Sequence, residues 1–236
     1  GILLSSAIKR YADFFGVACG EKNVLFTNND SAYETAISLI QKGINIEAII
    51  DNREEVDSKL VYEVEKNNIK IFKGYTVTDT FGYKRINRIS IKQLSKDGQK
   101  VVGPRINLSC DCLGVSGGWT PAVHLFTQSG GKLKFKDEDQ VFIPNTYPSD
   151  QLSIGSCNGD FTLDEILKNT PKSLKEFLDI KNTEYESLEI ISSTNKSKRN
   201  IWLLPSDKVI GKTKSFVDYQ NDATAKDIKL ALREGF

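Results

Sequence analysis

The sequence predicts an α/β fold, a parallel sheet of Rossmann-like type carrying a small antiparallel β-meander. Three observations lead there. Helical and strand patterns alternate over the first seventy or so residues, the apolar period changes from helical to two after Gly74, and a buried-strand pattern returns at residues 109–116 before breaking at Gly117-Gly118.

An amphipathic stretch with Ile8, Tyr11, Ala12 and Phe15, closed by Gly16, reads as the first helix, and a β-prone run follows at residues 23–27. Tyr33, Ala36, Ile37 and Ile40 then fall at i, i+3, i+4 and i+7, with Asp30 or Ser31 as N-cap and Gly43 just past the end. Residues 46–50 read as a buried strand ending at Asp51, so the unit is β-α-β, with parallel strands and a right-handed crossover. A helix over 56–67 and a strand over 69–72 follow. Short alternating runs at 75–78, 85–94 and 100–107 form the meander, with Lys96-Asp97-Gly98 marking a hairpin between the last two.

The remaining chain is less regular. A short strand is expected at 152–155, and Thr162-Leu163-Asp164-Glu165 has the spacing of a capping box that opens a helix to about Lys168. Pro171 suits the start of another helix. Residues 192–200 are polar and basic, read as a solvated loop with a boundary near it, and residues 201–204 look strand-like. Thr224 to Asp227 is a second capping box ahead of a last helix.

Thirty-two Lys and Arg against 31 Asp and Glu leave a net charge of +1, too little to gather phosphate backbones or anionic lipid, so neither nucleic acid nor membrane is an expected partner. Apolar runs are far shorter than the roughly 20 residues of a membrane helix, and no secretory signal is read. Cys19, Cys110, Cys112 and Cys157 show no Cys-x-x-Cys spacing, which fits a reducing compartment and a cytoplasmic location. Beginning at Gly1 and lacking Met, the sequence reads as a segment of a longer chain.

In a Rossmann unit the turn after the first strand carries G-x-G-x-x-G or A, because backbone must approach a pyrophosphate at the helix start. Here those positions hold Thr27, Asn29 and Ala32. Asn29 puts a side chain in the phosphate path, and Asp30 adds negative charge. Asp51 lies 23 residues beyond Asn28, near the ~20 expected for a ribose-binding acid. The spacing survives and the cradle does not, so the turn reads as degenerate, with a working site as the alternative. A second candidate is Gly155-Ser156-Cys157-Asn158-Gly159, where N–H groups and the dipole of the following helix favour an anion; an ordinary strand-to-helix turn is the other reading. Trp119 could lie against a flavin or adenine ring, with plain packing as the other reading, and His124, the one histidine, could be a general base but has no Ser, Cys or carboxylate at catalytic spacing; no catalytic residue or metal site is named.

Three stretches carry a resemblance: residues 24–33 (V-L-F-T-N-N-D-S-A-Y), 115–132 (V-S-G-G-W-T-P-A-V-H-L-F-T-Q-S-G-G-K) and 216–236 (F-V-D-Y-Q-N-D-A-T-A-K-D-I-K-L-A-L-R-E-G-F). In order and spacing they resemble the α subunit of heterotetrameric sarcosine oxidase over essentially the whole chain. The resemblance implies an FAD/NAD(P)-binding type domain of the glutathione reductase class at residues 1–180. Residues 181–236 would then be a linker and the first part of a folate-binding domain. It implies sarcosine oxidation to glycine, one-carbon transfer to tetrahydrofolate and hydrogen peroxide formation, with β, γ and δ subunits as partners. FAD would sit on β, FMN at the α/β contact and NAD on α.

In such flavoproteins the return segment, here residues 152–169, packs against the cofactor of a preceding unit. It usually carries a Gly-Asp pair, whereas Gly155 is followed by Ser156. The resemblance therefore places NAD contacts on the backbone of Gly155, Ser156, Cys157, Asn158 and Gly159, or near Phe161 and Leu163, at a site incomplete in this chain. Two other readings stay open: a vestigial Rossmann scaffold that only docks subunits, and the α subunit of an opine or amino-acid dehydrogenase. A segment of a larger assembly should also expose apolar patches.

Overall fold

Val24, Leu25 and Phe26 are all buried, and they alternate between two different apolar layers. That alternation organises the first part of the molecule. The computed structural model describes residues 1–148, 150–180, 200–207, 214–218 and 220–236. They fall into two units, Gly1–Ser116 with Arg199–Phe236, and Gly117–Lys198.

The first unit opens with β1 (Ile2–Leu4), α1 (Ser5–Phe15), β2 (Asn23–Thr27), α2 (Ser31–Gln41), β3 (Ile46–Asp51), α3 (Lys59–Lys66) and β4 (Lys70–Lys73). Then come β5 (Tyr75–Gly82), β6 (Ile86–Leu94), β7 (Val101–Ser109) and β8 (Cys112–Ser116). Five strands form a sheet in the order β1-β8-β2-β3-β4, with each neighbouring pair parallel. β5, β6 and β7 form a separate antiparallel sheet. On one face of the parallel sheet Leu25, Ile49 and Cys112 pack with Ile8 of α1, Tyr33, Ala36 and Leu39 of α2 and Val61 and Val64 of α3. On the other, Val24, Phe26, Ala48, Ile50 and Leu113 pack with Ile89 and Ile91 of the meander. A sheet covered on both sides demands near-continuous apolar strands, which is the pattern β2 and β3 show.

The sheet packs tightly against α1 at Gly114. A Cβ there would lie 2.6 Å from Leu25 Cδ2 and 2.9 Å from Ile8 Cδ1, so these buried side chains would have to shift to admit one. The α1 surface away from the sheet is different: Tyr11, Phe14 and Phe15, with Ile2 and Leu4 of β1, are exposed.

Several elements differ from the sequence expectation. The helix expected from Val56 begins at Lys59, because Ser58 caps it, accepting from the Val61 N–H at 3.4 Å, while Val56 is buried in the core before it. Residues 201–204 form no strand; Trp202 there is 75% exposed, so the run has no buried face to hold it extended. The unit closes with β11 and β12 (Phe216–Asp218 and Ala223–Thr224, antiparallel) and α6 (Ala225–Glu234), whose expected capping box is present. Asp207 is held to the meander by Lys92 at 3.1 Å and Arg105 at 3.6 Å.

The second unit contains α4 (His124–Gln128), a hairpin of β9 (Lys132–Lys136) and β10 (Val141–Thr146), a 3-10 turn (Gly155–Asn158) and α5 (Leu163–Phe177). The strand expected at 152–155 is absent, since those residues pair with no other described strand and run directly into the 3-10 turn. The two helices expected either side of Pro171 are one: α5 runs through the proline. A proline inside a helix forfeits the one N–H bond to the carbonyl four residues back. Here Ile166 before it and Leu174 and Phe177 after it belong to one continuous amphipathic pattern. The expected boundary near residues 192–200 lies, apart from Asn200, outside the described residues, as does the junction after residue 180.

Candidate functional site

The first candidate turn joins β2 to α2. Asn28, Asn29 and Asp30 are all buried, and they fill the space that a glycine-rich turn would leave open. The Asn29 carboxamide uses both ends: its oxygen accepts from the Ser31 N–H at 3.0 Å and the Ser31 hydroxyl at 2.6 Å, and its nitrogen donates to Asn28 Oδ1 at 2.7 Å and the Ser116 carbonyl at 3.3 Å. Ser31 and Ser116 hydroxyls meet at 2.8 Å, and Thr27 Oγ1 donates to the Asn29 carbonyl at 2.7 Å. Asn29 thus serves the first amide of α2, the role expected of Asp30 or Ser31. Asp30 holds the N-cap position by its backbone, but its side chain makes no capping bond.

The Asp30 carboxylate points instead to Arg53, whose Nη1 lies 2.8 Å from Asp30 Oδ1. The same guanidinium forks onto Asp51, with Nε to Oδ1 at 3.0 Å and Nη2 to Oδ2 at 2.7 Å. Tyr33 Oη adds a bond to Asp51 Oδ2 at 2.9 Å, and the Arg53 backbone N–H donates to Oδ1 at 2.9 Å. Asp51 is 0% exposed and Arg53 2%. Burial opposes the Arg53 charge, but the Asp51 hydrogen bonds and charge, with those of Asp30, outweigh it and hold the guanidinium above its ordinary pKa. Burial first, and the neighbouring Asp51 second, push the Tyr33 phenol well above its usual value, so it stays a donor. Burial and the Asp30 charge likewise raise Glu34.

Asp51 therefore sits where the sequence placed it, at the end of the second strand, but its oxygens already carry four donors from Arg53 and Tyr33. A ribose diol would have to displace them. These residues do not fit a dinucleotide. Arg53 and the Tyr33 hydroxyl escaped the sequence reading, although Asp51-x-Arg53 at a strand end was a legible signal for a fork closed two residues on.

The second candidate turn is open. Gly155 is buried with φ 65, and Gly159 ends the turn with φ 90, both left-handed conformations that suit glycine. Between them Ser156 and Cys157 are exposed and Asn158 is half-buried, its Oδ1 3.4 Å from Tyr147 Oη. The amides of Gly159 and Asp160 bond back to Ser156 and Gly155 carbonyls, each at 3.2 Å. Phe161 is half-buried, and Leu163 is the exposed first residue of α5. The helix end carries its own anion: Glu165 accepts from the Thr162 N–H at 3.2 Å and hydroxyl at 2.8 Å. What remains for a ligand is the exposed face at Ser156 and Cys157. His124 begins α4 and Trp119 is 54% exposed, and among the described residues no group of three or more His, Cys, Asp or Glu could hold a metal ion. No described helix is long and apolar enough to cross a membrane.

A parallel sheet with helices on one face and an antiparallel meander on the other is the fold of FAD/NAD(P)-binding oxidoreductases of the glutathione reductase class. Thioredoxin reductase of T. acidophilum shares it with a TM-score of 0.50 at 17% identity, over 76% of this chain and 57% of that one. Along its whole length the chain is similar to sarcosine oxidase subunit alpha, 28% identical over 249 residues to that of Corynebacterium sp. (strain P-1) and 26% over 247 residues to that of Rhizobium meliloti (strain 1021). It spans about a quarter of the length of these curated relatives, 25% and 23% respectively. No protein-family model matches the chain.

Proposed function

We propose that the chain is the second nucleotide-binding-type part of an oxidoreductase α subunit of the sarcosine oxidase kind. The observation that carries this reading is an alignment covering 100% of the chain at 28% identity. On that reading the parent assembly oxidises sarcosine to glycine in the cytoplasm, passes the one-carbon unit to tetrahydrofolate and forms hydrogen peroxide. It works with β, γ and δ subunits and with FAD, FMN and NAD. Residues 1–180 form the nucleotide-type domain, and residues 181–236 lead into a folate-binding domain. On that reading sarcosine oxidation takes place on the β subunit, and no catalytic residue is assigned to this chain.

The chain's contribution to NAD is the open turn, through Gly155, Ser156, Cys157, Asn158, Gly159, Phe161 and Leu163. Its support is the exposure of Ser156 and Cys157 between two left-handed glycines, which brings backbone to the surface. The test uses the full-length protein with its partner subunits, followed for sarcosine-dependent peroxide release and by hydrogen exchange with and without NAD. Peroxide release and NAD-dependent protection of residues 155–163 are expected. Peroxide from another amine substrate and none from sarcosine would sink the activity; protection confined to other segments would sink the site.

A further inference from the structure

A dinucleotide fold lays the diphosphate along the amides that open the first helix and hangs the ribose on the acid closing the second strand. In this chain each position is held by a side chain of its own. Asn29 bridges Ser31 to Ser116 across the diphosphate path, and a guanidinium with a phenol takes the acid. Charge works the same way. Asp30, Asp51 and Arg53 are each 4% exposed or less, and two carboxylates against one guanidinium leave a buried net charge of −1. A diphosphate arriving there would meet repulsion in a medium that screens it poorly. Arg53 can reach both acids because β2 and β3 are in parallel register with Thr27 opposite Asp51, which brings the two strand ends side by side.

We propose that Arg53 is a built-in ligand of the β2–α2 crevice: it occupies the ribose position permanently, this Rossmann unit takes no dinucleotide there, and the Asp30–Arg53–Asp51 cluster fastens the ends of β2 and β3 in the cofactor's place. The proposal concerns a different turn from the one assigned to NAD contacts, and either can fail without the other.

Hydrogen exchange of the full-length protein with its partner subunits, with NAD, NADP, FAD and AMP each to millimolar concentration, tests the closed crevice without any substitution. The amides of residues 27–32 and 51–53 are expected to be unchanged. Saturable protection there would overturn the proposal. Protection at 155–163 alone agrees with both readings, whereas protection nowhere removes the NAD contacts and leaves the closed crevice standing.

A second arm tests the built-in ligand. Arg53→Ala should lower Tm, and added methylguanidinium should recover part of that loss saturably in the variant and not in the parent, as a small cation refills the vacated position. Arg53→Lys, which keeps the charge but cannot fork, should fold with an intermediate Tm and serves if the alanine variant does not accumulate. An alanine variant as stable as the parent, a lysine variant indistinguishable from the parent, or a methylguanidinium effect equal in parent and variant would each overturn the assignment.

Discussion

The β2–α2 turn and the turn at Gly155 are the chain's two candidate ligand sites, and they are built on opposite principles. At the first, Asn29, Asp30, Asp51 and Arg53 are buried and bonded to one another. At the second, Ser156 and Cys157 are exposed, and the elements around them are held by a capping box and two glycines. The first has the order and spacing of a dinucleotide site and none of its room; the second has room and little of the sequence signature. A fold can keep its topology after a site has been filled in, because the sheet's apolar layers hold the strands whether or not a ligand does.

The sharpest way to break this contrast is at Arg53. Arg53→Ala leaves two buried carboxylates without their guanidinium and should cost about 3–5 kcal/mol in denaturant unfolding, since removing one partner of a buried ion pair strands the other. A loss under about 1 kcal/mol would show the cluster to be incidental. Tyr33→Phe comes next, removing one donor to a buried carboxylate at a cost of about 1.5–3 kcal/mol.

Its pH signature is distinct. The folded Tyr33 pKa is raised, so above about pH 10 the unfolded chain gives up this proton while the folded chain keeps it, and stability falls as pH rises. Stability curves from pH 8 to alkaline pH should therefore be flatter in the Phe variant; equal slopes would mean Tyr33 ionises as freely folded as unfolded.

Substitutions at the second turn should be milder. Thr162→Ala removes the α5 capping box and should cost about 1 kcal/mol, with faster exchange in the first turn of α5. Ser156→Ala, on the exposed face, should stay within about 0.5 kcal/mol of the parent in the same unfolding assay. A large effect at Ser156 would mean that this turn, too, is closed by its own contacts.

The cysteines illustrate what was readable residue by residue. Cys110 and Cys112 lie in the run at 109–116 that reads as a buried strand, and both are buried; burial pushes the Cys110 thiol up to about 11. The helix α2 and strands β2 and β3 were legible for a similar reason, because a sheet covered on both faces writes its burial directly into continuous apolar runs. Pro171 misled because a local preference for helix starts lost to a longer amphipathic pattern on either side of it. The strand expected at 152–155 failed because a short apolar run needs a partner strand to become one, and the structure gives it none among the described residues. The side chains of Asn29 and Asp30 in place of glycines were visible in the sequence, but the Arg53 fork onto Asp51 was not.

By itself the sequence determined the β-α-β order, the meander, the capping boxes and the loss of a glycine cradle, since each depends on neighbours within a few residues or on a period of two or 3.6. Only the tertiary structure decided that Asp51 is spoken for. Asp30 and Asp51 stand on separate elements, and one guanidinium can neutralise both only where parallel pairing of β2 with β3 brings Thr27 opposite Asp51. Ion pairing depends on through-space distance and on burial, and neither is a property of residue order.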